Sequence, residues 1–400
     1  MEFEITLTTG QEGFRKEVQA WLEANARMPA ALGKMPLENK DVTRAQWQWG
    51  NQFTRKLGAK GWLAPTLPKE YGGGGLSVDQ ASILQEEMAR HDVSGGQLPH
   101  VVGPLIIHGT EEQKRELLAP MLRGEWRVWQ LWTEPEAGSD LASLKTQAVR
   151  DGDDFIVTGT KIFISGTFEP DYMYVLAVTD PNAPRHQNMG AFCFPATLPG
   201  ISWTVQDLIT REGQNLIHLD GVRVSRRYLI GEETSGWRVN QSAAETEHGA
   251  RGAIVSRDTL IPDLIQYCKE TLRNGQPLSK DPDIQGHLVQ AYIDENVIRL
   301  LGLRNYWMFN HHQPMTYHGT QYRAVRRDLA TRTASDVLAV LGPYALCTDQ
   351  EHGLLEKRAE LQQRWSIRAQ HGGGTSDVDR VMIARRLGMS RTRERAGVTY

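Results

Sequence analysis

Trp132-Thr133-Glu134-Pro135-Glu136-Ala137-Gly138-Ser139-Asp140 and its companion Gly159-Thr160-Lys161-Ile162-Phe163-Ile164-Ser165 are the stretches whose reading decides the fold. The first follows the apolar run from Val128 to Trp132 and leaves it through a loop, because Pro135 forces Glu134 to be extended. Gly138 opens backbone angles closed to other residues, and Thr133, Ser139 and Asp140 set short polar groups beside an aromatic. The second reads as a turn and then a strand alternating lysine, aromatic and serine. A flat cofactor with polar edges suits such a place, with rings against Trp132 and Phe163 and the hydroxyls of Thr133 and Ser139 at its rim. A bulged loop followed by an ordinary surface strand would carry the same residues, so the pattern by itself leaves both readings open.

Outward from this pair the chain is β-rich from about Gly124 to Gly231. Short runs at 128–132, 155–158, 162–165, 172–179, 190–195, 201–205 and 221–224 alternate or are rich in β-formers. Asp151-Gly152-Asp153 and Asp180-Pro181-Asn182 separate some of them, and together they predict a compact antiparallel unit. Upstream, Phe14, Val18, Trp21 and Leu22 mark an amphipathic helix over 11–25, and Trp49, Phe53 and Leu57 another over 43–60. Ser77 with Gln80, and Thr110 with Gln113, form capping boxes for two more. Gly72 to Gly75 has no lysine-serine pair behind it and no apolar strand ahead, so it reads as a flexible turn, not a phosphate cradle. Downstream, helices are predicted from Trp237 to about Thr271 and over 282–310, 320–341, 349–370 and 376–387. The His311-His312 pair falls in a loop, and adjacent side chains point apart, which argues against a metal site. The order is helices, a β unit, then helices, with parts at 1–124, 125–233 and 234–400.

The 400 residues are 40% apolar and 23% charged, with net charge −3, a balance that calls for neither nucleic acid nor an anionic membrane. Met1-Glu2-Phe3-Glu4 is acidic with no apolar run behind it, and no stretch nears the roughly 18 apolar residues of a membrane span. Cys193, Cys268 and Cys347 are isolated, which argues for a reducing, cytoplasmic setting. Eleven tryptophans point weakly to flat ligands or large interfaces.

Thr133-Glu134-Pro135, Ala137 to Asp140, Gly159-x-Lys161 and Phe163-Ile164-Ser165 together resemble the acyl-CoA dehydrogenase family. Leu67-Pro68-x-x-Tyr71-Gly72-Gly73, the segment Gly109 to Lys114, Gly236-Trp237 and Ile383 to Gly388 extend the resemblance over almost the whole chain. The segment Phe14 to Leu22 is most similar to the branch handling steroid side chains, dicarboxylates and other bulky acids. The resemblance implies an α+β fold: an N-terminal helical domain, a central antiparallel β-barrel-like domain and a C-terminal four-helix bundle. It implies FAD between the last two, a homotetramer or homodimer with a heterotetramer also open, and electron-transfer flavoprotein or a similar acceptor. The implied reaction oxidises an acyl-CoA to the trans-2-enoyl-CoA. A carboxylate takes the weakly acidic α-proton while FAD receives the β-hydrogen as hydride.

Carried over by position, Trp132, Thr133, Gly138, Ser139, Phe163, Ile164 and Ser165 line the flavin. Gly342 and Thr375 belong to the cofactor's surroundings, and Ser139 also touches substrate. Phe163 and Ser165 stand where the family usually has tryptophan and threonine and keep both roles in kind. Most members place the base in a Tyr-Glu-Gly-Thr turn; here that turn is His371-Gly372-Gly373-Gly374-Thr375. Gly373 can offer its N–H to the thioester oxygen but takes no proton. Other branches carry the base on the first helix after the β domain, where this chain has Glu245-Thr246-Glu247-His248. Glu247 matches that base and His248 replaces the usual arginine; Glu245 and His248 are expected near the substrate. The family's Arg-x-x-Phe-Gly segment has become Thr271-Leu272-Arg273-Asn274-Gly275, which leaves the adenosine end of FAD unaccounted for. Two other readings stay open: the same flavin fold running an elimination, desulfination or monooxygenation, and a non-catalytic subunit of a heteromeric dehydrogenase.

Overall fold

The structure, a computed structural model, describes residues 7–96, 98–247, 259–311, 313–348 and 353–389, with the side chains of 243–247 and 310 left aside. It divides into two compact units, Met1–Glu247 and His248–Tyr400, each taken here by itself.

Helices α1 (Thr9–Asn25), α2 (Arg44–Ala59) and α3 (Val78–Arg90) open the first unit, and each starts with a capping box: Thr8 with Gln11, Thr43 with Gln46, Ser77 with Gln80. Each pair satisfies two orphan donors of the first turn. Their apolar faces meet in a core of Phe14, Val18, Leu22, Phe53, Leu57, Ile83 and Leu84. After α4 (Val102–His108), the Thr110–Gln113 box opens α5 (Glu111–Gln113), which runs through a π-helical turn, Lys114–Leu118, into α6 (Ala119–Leu122). The four-glycine stretch is not a flexible turn. Gly73, Gly74 and Gly75 donate their N–H groups to Pro68, Ala64 and Leu67 at 3.0, 3.1 and 2.9 Å. A Cβ on Gly73 would lie 2.3 Å from the Leu67 carbonyl oxygen, so the glycines are there to let two backbone segments touch.

The β unit comprises β1 (Val128–Leu131), β2 (Gln147–Asp151), β3 (Asp154–Ser165), β4 (Tyr172–Val178), β5 (Met189–Pro195), β6 (Ile201–Gln206), β7 (Gln214–Ser225) and β8 (Leu229–Ile230). They form one sheet in the order β6-β7-β3-β2-β4-β5-β8, with β1 beside β4. Two expectations are corrected here. Among the described residues the path is open at β6 and β8, so no barrel closes. The sheet is also mixed, because β1 and β2 both run parallel to β4. A parallel pair cannot be joined by a hairpin; β1 reaches β4 only through the long excursion that contains both flavin-type motifs. The buried faces of β4 and β5 dominate the core, with Met173 to Ala177 and Ala191 to Phe194 inaccessible to solvent. Helix α7 (Gly236–Glu247) then packs on α4 and β5 within this unit.

The second unit is helical: α8 (Leu260–Glu270), α9 (Pro282–Asn310), α10 (His318–Leu341), α11 (Arg358–Ala369) and α12 (Ser376–Arg386). Between α8 and α9 lies a small hairpin, β9 (Leu272–Arg273) with β10 (Gln276–Pro277), turned by Asn274 and Gly275 at φ +53° and +78°. The expected helix over 349–370 begins only at Arg358, because Leu355, Glu356 and Lys357 are left-handed, at φ +51°, +56° and +67°. Cys268, Leu264, Leu288, Val337, Val340 and Ala345 form its core.

Candidate functional site

In the first unit the two opening motifs are bound together through Trp132, Thr133 and Glu134 on one side and Lys161 and Ile162 on the other. The Ile162 N–H, within β3, donates to the Thr133 carbonyl, just past the end of β1, at 2.9 Å. Lys161 is fully buried, and its Nζ donates to the Trp132 and Leu176 carbonyls at 3.2 and 2.8 Å and to Glu134 Oε1 at 2.8 Å. Glu134 in turn accepts the backbone N–H groups of Lys145 and Thr146 at 2.6 and 2.9 Å. Burial works to raise the Glu134 carboxyl, but the Lys161 ammonium and these donors outweigh it and hold the group below the usual carboxylate range. Burial likewise pushes Lys161 down to about 8, against the pull of Glu134. A buried, fully hydrogen-bonded ion pair thus fastens the loop to the strand. Sequence reasoning named both residues within the motifs but gave neither a role; a lysine in register with the inward-facing Phe155 and Val157 was the available signal.

A bulge follows Lys161 directly. The β3–β7 register shifts between Lys161 and Ile164, and Phe163 in the gap is left-handed, at φ +58°. That backbone leaves the Phe163 ring 51% exposed while Ile164 is turned into the core. An aromatic held at the surface on a strained backbone, next to the exposed Ser165, fits a flat ring better than a plain strand does. Ile164 is buried, and its carbonyl accepts Asn215 Nδ2 at 3.0 Å. Trp132 is buried against Tyr174, 5.9 Å between ring centroids, and its indole N–H has no hydrogen-bond partner among the described residues. Gly138 and Ser139 are exposed, and a Cβ on Gly138 would meet nothing within 4 Å. Gly166, just past the strand, differs: a Cβ there would lie 2.0 Å from Trp129 Nε1. Gly166→Ala is therefore expected to lower the unfolding free energy by about 1–3 kcal/mol or more, and Gly138→Ala to leave it within about 0.5 kcal/mol, by chemical denaturation.

Helix α7 is seated firmly. A Cβ on Gly236 would lie 2.6 Å from the Gly190 carbonyl carbon, Trp237 stacks on His186 at 4.4 Å, and His108 Nε2 meets Ser242 Oγ at 2.9 Å. Burial, and then Arg238, lower the His108 pKa, so this contact is made by the neutral ring. Glu245 and Glu247 lie on the last turn of this helix, described as backbone only; His248 lies outside the described residues.

In the second unit, Gly373 and Gly374 are both left-handed, at φ +68° and +99°. Thr375 caps α12, its side chain accepting the Val378 N–H at 3.3 Å. Gly342 ends α10 at φ +62°, donating its N–H to Leu338. The hairpin in place of the Arg-x-x-Phe-Gly segment exposes Leu272 and sets Arg273 3.8 Å from Asp281. No group of three or more metal-type ligands occurs among the described residues.

Family models for the acyl-CoA dehydrogenase N-terminal, middle and C-terminal domains match residues 8–125, 130–223 and 234–388. The chain belongs to the acyl-CoA dehydrogenase family: it is an oxidoreductase acting on CH–CH groups, with FAD as cofactor. It is 29% identical to acyl-CoA dehydrogenase FadE26 of Mycobacterium tuberculosis, over 95% of this chain and 96% of that one. The structure of the ChsE4-ChsE5 complex from the same organism superposes with a TM-score of 0.80 at 28% identity, covering 98% of this chain and 100% of that one. A structure titled Tcur3481-Tcur3483 steroid ACAD gives 0.82 at 27%, with 98% and 100% covered.

Proposed function

We propose that the chain dehydrogenates a branched or bulky acyl-CoA to its trans-2-enoyl-CoA, with Glu247 removing the α-proton. The observation that carries the reading is the turn at Gly373. It has no carboxyl, and its φ of +68° suits glycine, so a base must come from elsewhere. Glu247 is the candidate because it matches the alternative base position of the family, on a helix anchored at Gly236, Trp237 and Ser242; a proton-abstracting group needs such fixed support for near-attack geometry. Bound FAD supplies the redox chemistry by taking up hydride. Phe163, with Thr133 and Ser165, packs against its ring system, Trp132 and Gly138 complete the wall, and Gly342 and Thr375 serve its more distant parts. Ser139, Glu245 and His248 meet the substrate, and the Gly373 N–H donates to the thioester oxygen. A bulky acyl group is supported by the likeness to the structure titled as a steroid ACAD.

Electron-transfer flavoprotein or a similar protein is the proposed acceptor, and the cytoplasm the proposed site of action; among the described residues no helix is long and apolar enough to cross a membrane. We retain the division at 1–124, 125–233 and 234–400. Ile293, Leu300 and Trp307, exposed at seven-residue spacing along α9, support assembly into a homotetramer or homodimer. The relative solved as a two-protein complex favours a second reading, a heterotetramer with a related subunit. Co-expression with a candidate partner gene and sizing of the product separates the two.

The test is an anaerobic titration of the yellow protein with straight, branched, dicarboxylic and steroid-side-chain CoA thioesters. Bleaching of the flavin band by a branched or bulky member, with the enoyl-CoA as product, is the expected result. Turnover without flavin reduction, or with stoichiometric oxygen consumption, would replace dehydrogenation by elimination or monooxygenation.

A further inference from the structure

The Gly373 N–H does not stand alone: it belongs to the peptide unit whose carbonyl is that of Gly372. Across a trans peptide the two groups point in opposite directions in one plane, so whatever holds the carbonyl aims the N–H. The Gly372 carbonyl accepts a hydrogen bond from Arg327 Nη2, on α10. Arg327 is only 5% exposed and is itself fixed, its Nη1 lying 2.6 Å from Asp379 Oδ2. Asp379, on α12, is fully buried and also takes Arg323 Nε at 2.9 and 3.1 Å. A second clamp runs alongside. Gln370 Nε2 donates to the Arg327 carbonyl at 2.7 Å and to Thr331 Oγ1 at 3.0 Å, and Ser376 Oγ donates to Gln370 Oε1 at 2.8 Å. Thus both flanks of a turn made of conformationally free glycines are tied to α10.

We propose that Arg327 is a positioning residue for the reaction: its guanidinium, held by Asp379, fixes the Gly372–Gly373 peptide plane and polarises it so that the Gly373 N–H becomes a stronger donor to the thioester carbonyl. The proposal rests on the reading that this N–H donates to the thioester oxygen. A cationic donor on an amide oxygen draws electron density from the nitrogen, and hydrogen bonds in series strengthen one another. Three glycines in a row have no rigidity of their own, so without the guanidinium the donor would be neither aimed nor strengthened.

The experiment uses the carbonyl-13C form of the thioester that bleaches the wild-type flavin in the titration above. It is bound to FAD-loaded Glu247→Gln protein, so that the label reports binding without turnover, and the carbonyl stretch is read by isotope-edited infrared. The expected result is a downshift in the Glu247→Gln parent that is at least halved by adding Arg327→Lys or Asp379→Asn, at full ligand occupancy and unchanged FAD content. In the otherwise wild-type protein, Arg327→Lys is expected to lower kcat by about 10- to 100-fold with KM within about threefold, less than the roughly 10²–10³-fold of losing an oxyanion donor outright, because the N–H itself remains. Arg380→Ala, on an exposed residue of the same helix, leaves both readouts unchanged. A full downshift in both Arg327→Lys and Asp379→Asn overturns the role of Arg327, and so does loss of FAD or of folding with the downshift intact in the remaining bound fraction. No downshift in the parent sinks the reading of the Gly373 N–H itself, and this proposal with it.

Discussion

Glu247→Gln is expected to stay yellow, to bind acyl-CoA, and to show flavin reduction slowed by about 10³-fold or more in anaerobic stopped flow. General-base catalysis contributes about 10²–10⁴ where geometry is favourable, and glutamine keeps the shape while losing the proton acceptor. Glu134, the acid of the two motifs that is buried among the described residues, cannot substitute. Glu134 accepts Lys161 Nζ and two backbone N–H groups and is held ionised as part of the scaffold. Placing the base back in the turn, as Gly373→Glu in the same background, is expected to give no rescue. A side chain at φ +68° raises the energy by about 1–2 kcal/mol and disturbs the peptide that Arg327 holds. Reduction at the wild-type rate in Glu247→Gln would move the base to another residue. Rescue by Gly373→Glu would show that the turn adapts to a side chain.

The second large effect is expected at the buried pair. Lys161→Met leaves Glu134 charged without its cation and removes the donor to the Trp132 and Leu176 carbonyls; a loss of about 3–5 kcal/mol is expected, with FAD falling away before global unfolding. The double change Lys161→Met with Glu134→Leu should recover most of the stability, since an apolar pair of similar volume replaces an ion pair at small net effect. It should not recover the FAD affinity, because the loop is no longer tied to the strand. The pH dependence follows from Lys161 titrating at about 8 in the folded chain and near 10.4 when unfolded. Between those values the unfolded state holds more protons, so wild-type stability rises with pH relative to the double variant. Denaturation midpoints of both proteins at pH 7, 8.5 and 9.5 check this; a difference that is flat or falls with pH contradicts it.

What was legible in the sequence was whatever local chemistry enforces. Capping boxes at Ser77 and Thr110 begin helices as read, and the apolar stripes of α1 and α2 face the core they predict. Strand β2 escaped because Gln147-Ala148-Val149-Arg150-Asp151 buries little beyond Ala148, so no alternation was visible. Its place between β3 and β4 is a tertiary fact. The left-handed Leu355-Glu356-Lys357 turn was unreadable for a related reason, since none of the three residues favours that backbone and neighbours impose it. At the proposed site, the motifs pointed to the residues proposed to line the cofactor but not to the supports behind the glycine turn. Arg327 and Asp379 lie 52 positions apart, and nothing in the spacing of a charged helical sequence says that they will pair in the interior with the arginine on a glycine carbonyl.

The left-handed pair Gly373-Gly374 has a historical consequence. A turn that has closed in this form admits a new side chain only by first relaxing its backbone, so single substitutions at 373 are penalised in stability before any gain in chemistry can be selected. Such a position is entrenched. New specificities in this lineage would then arise through changes on the last turn of α7 and the segment that follows it, while the glycine turn stays as it is.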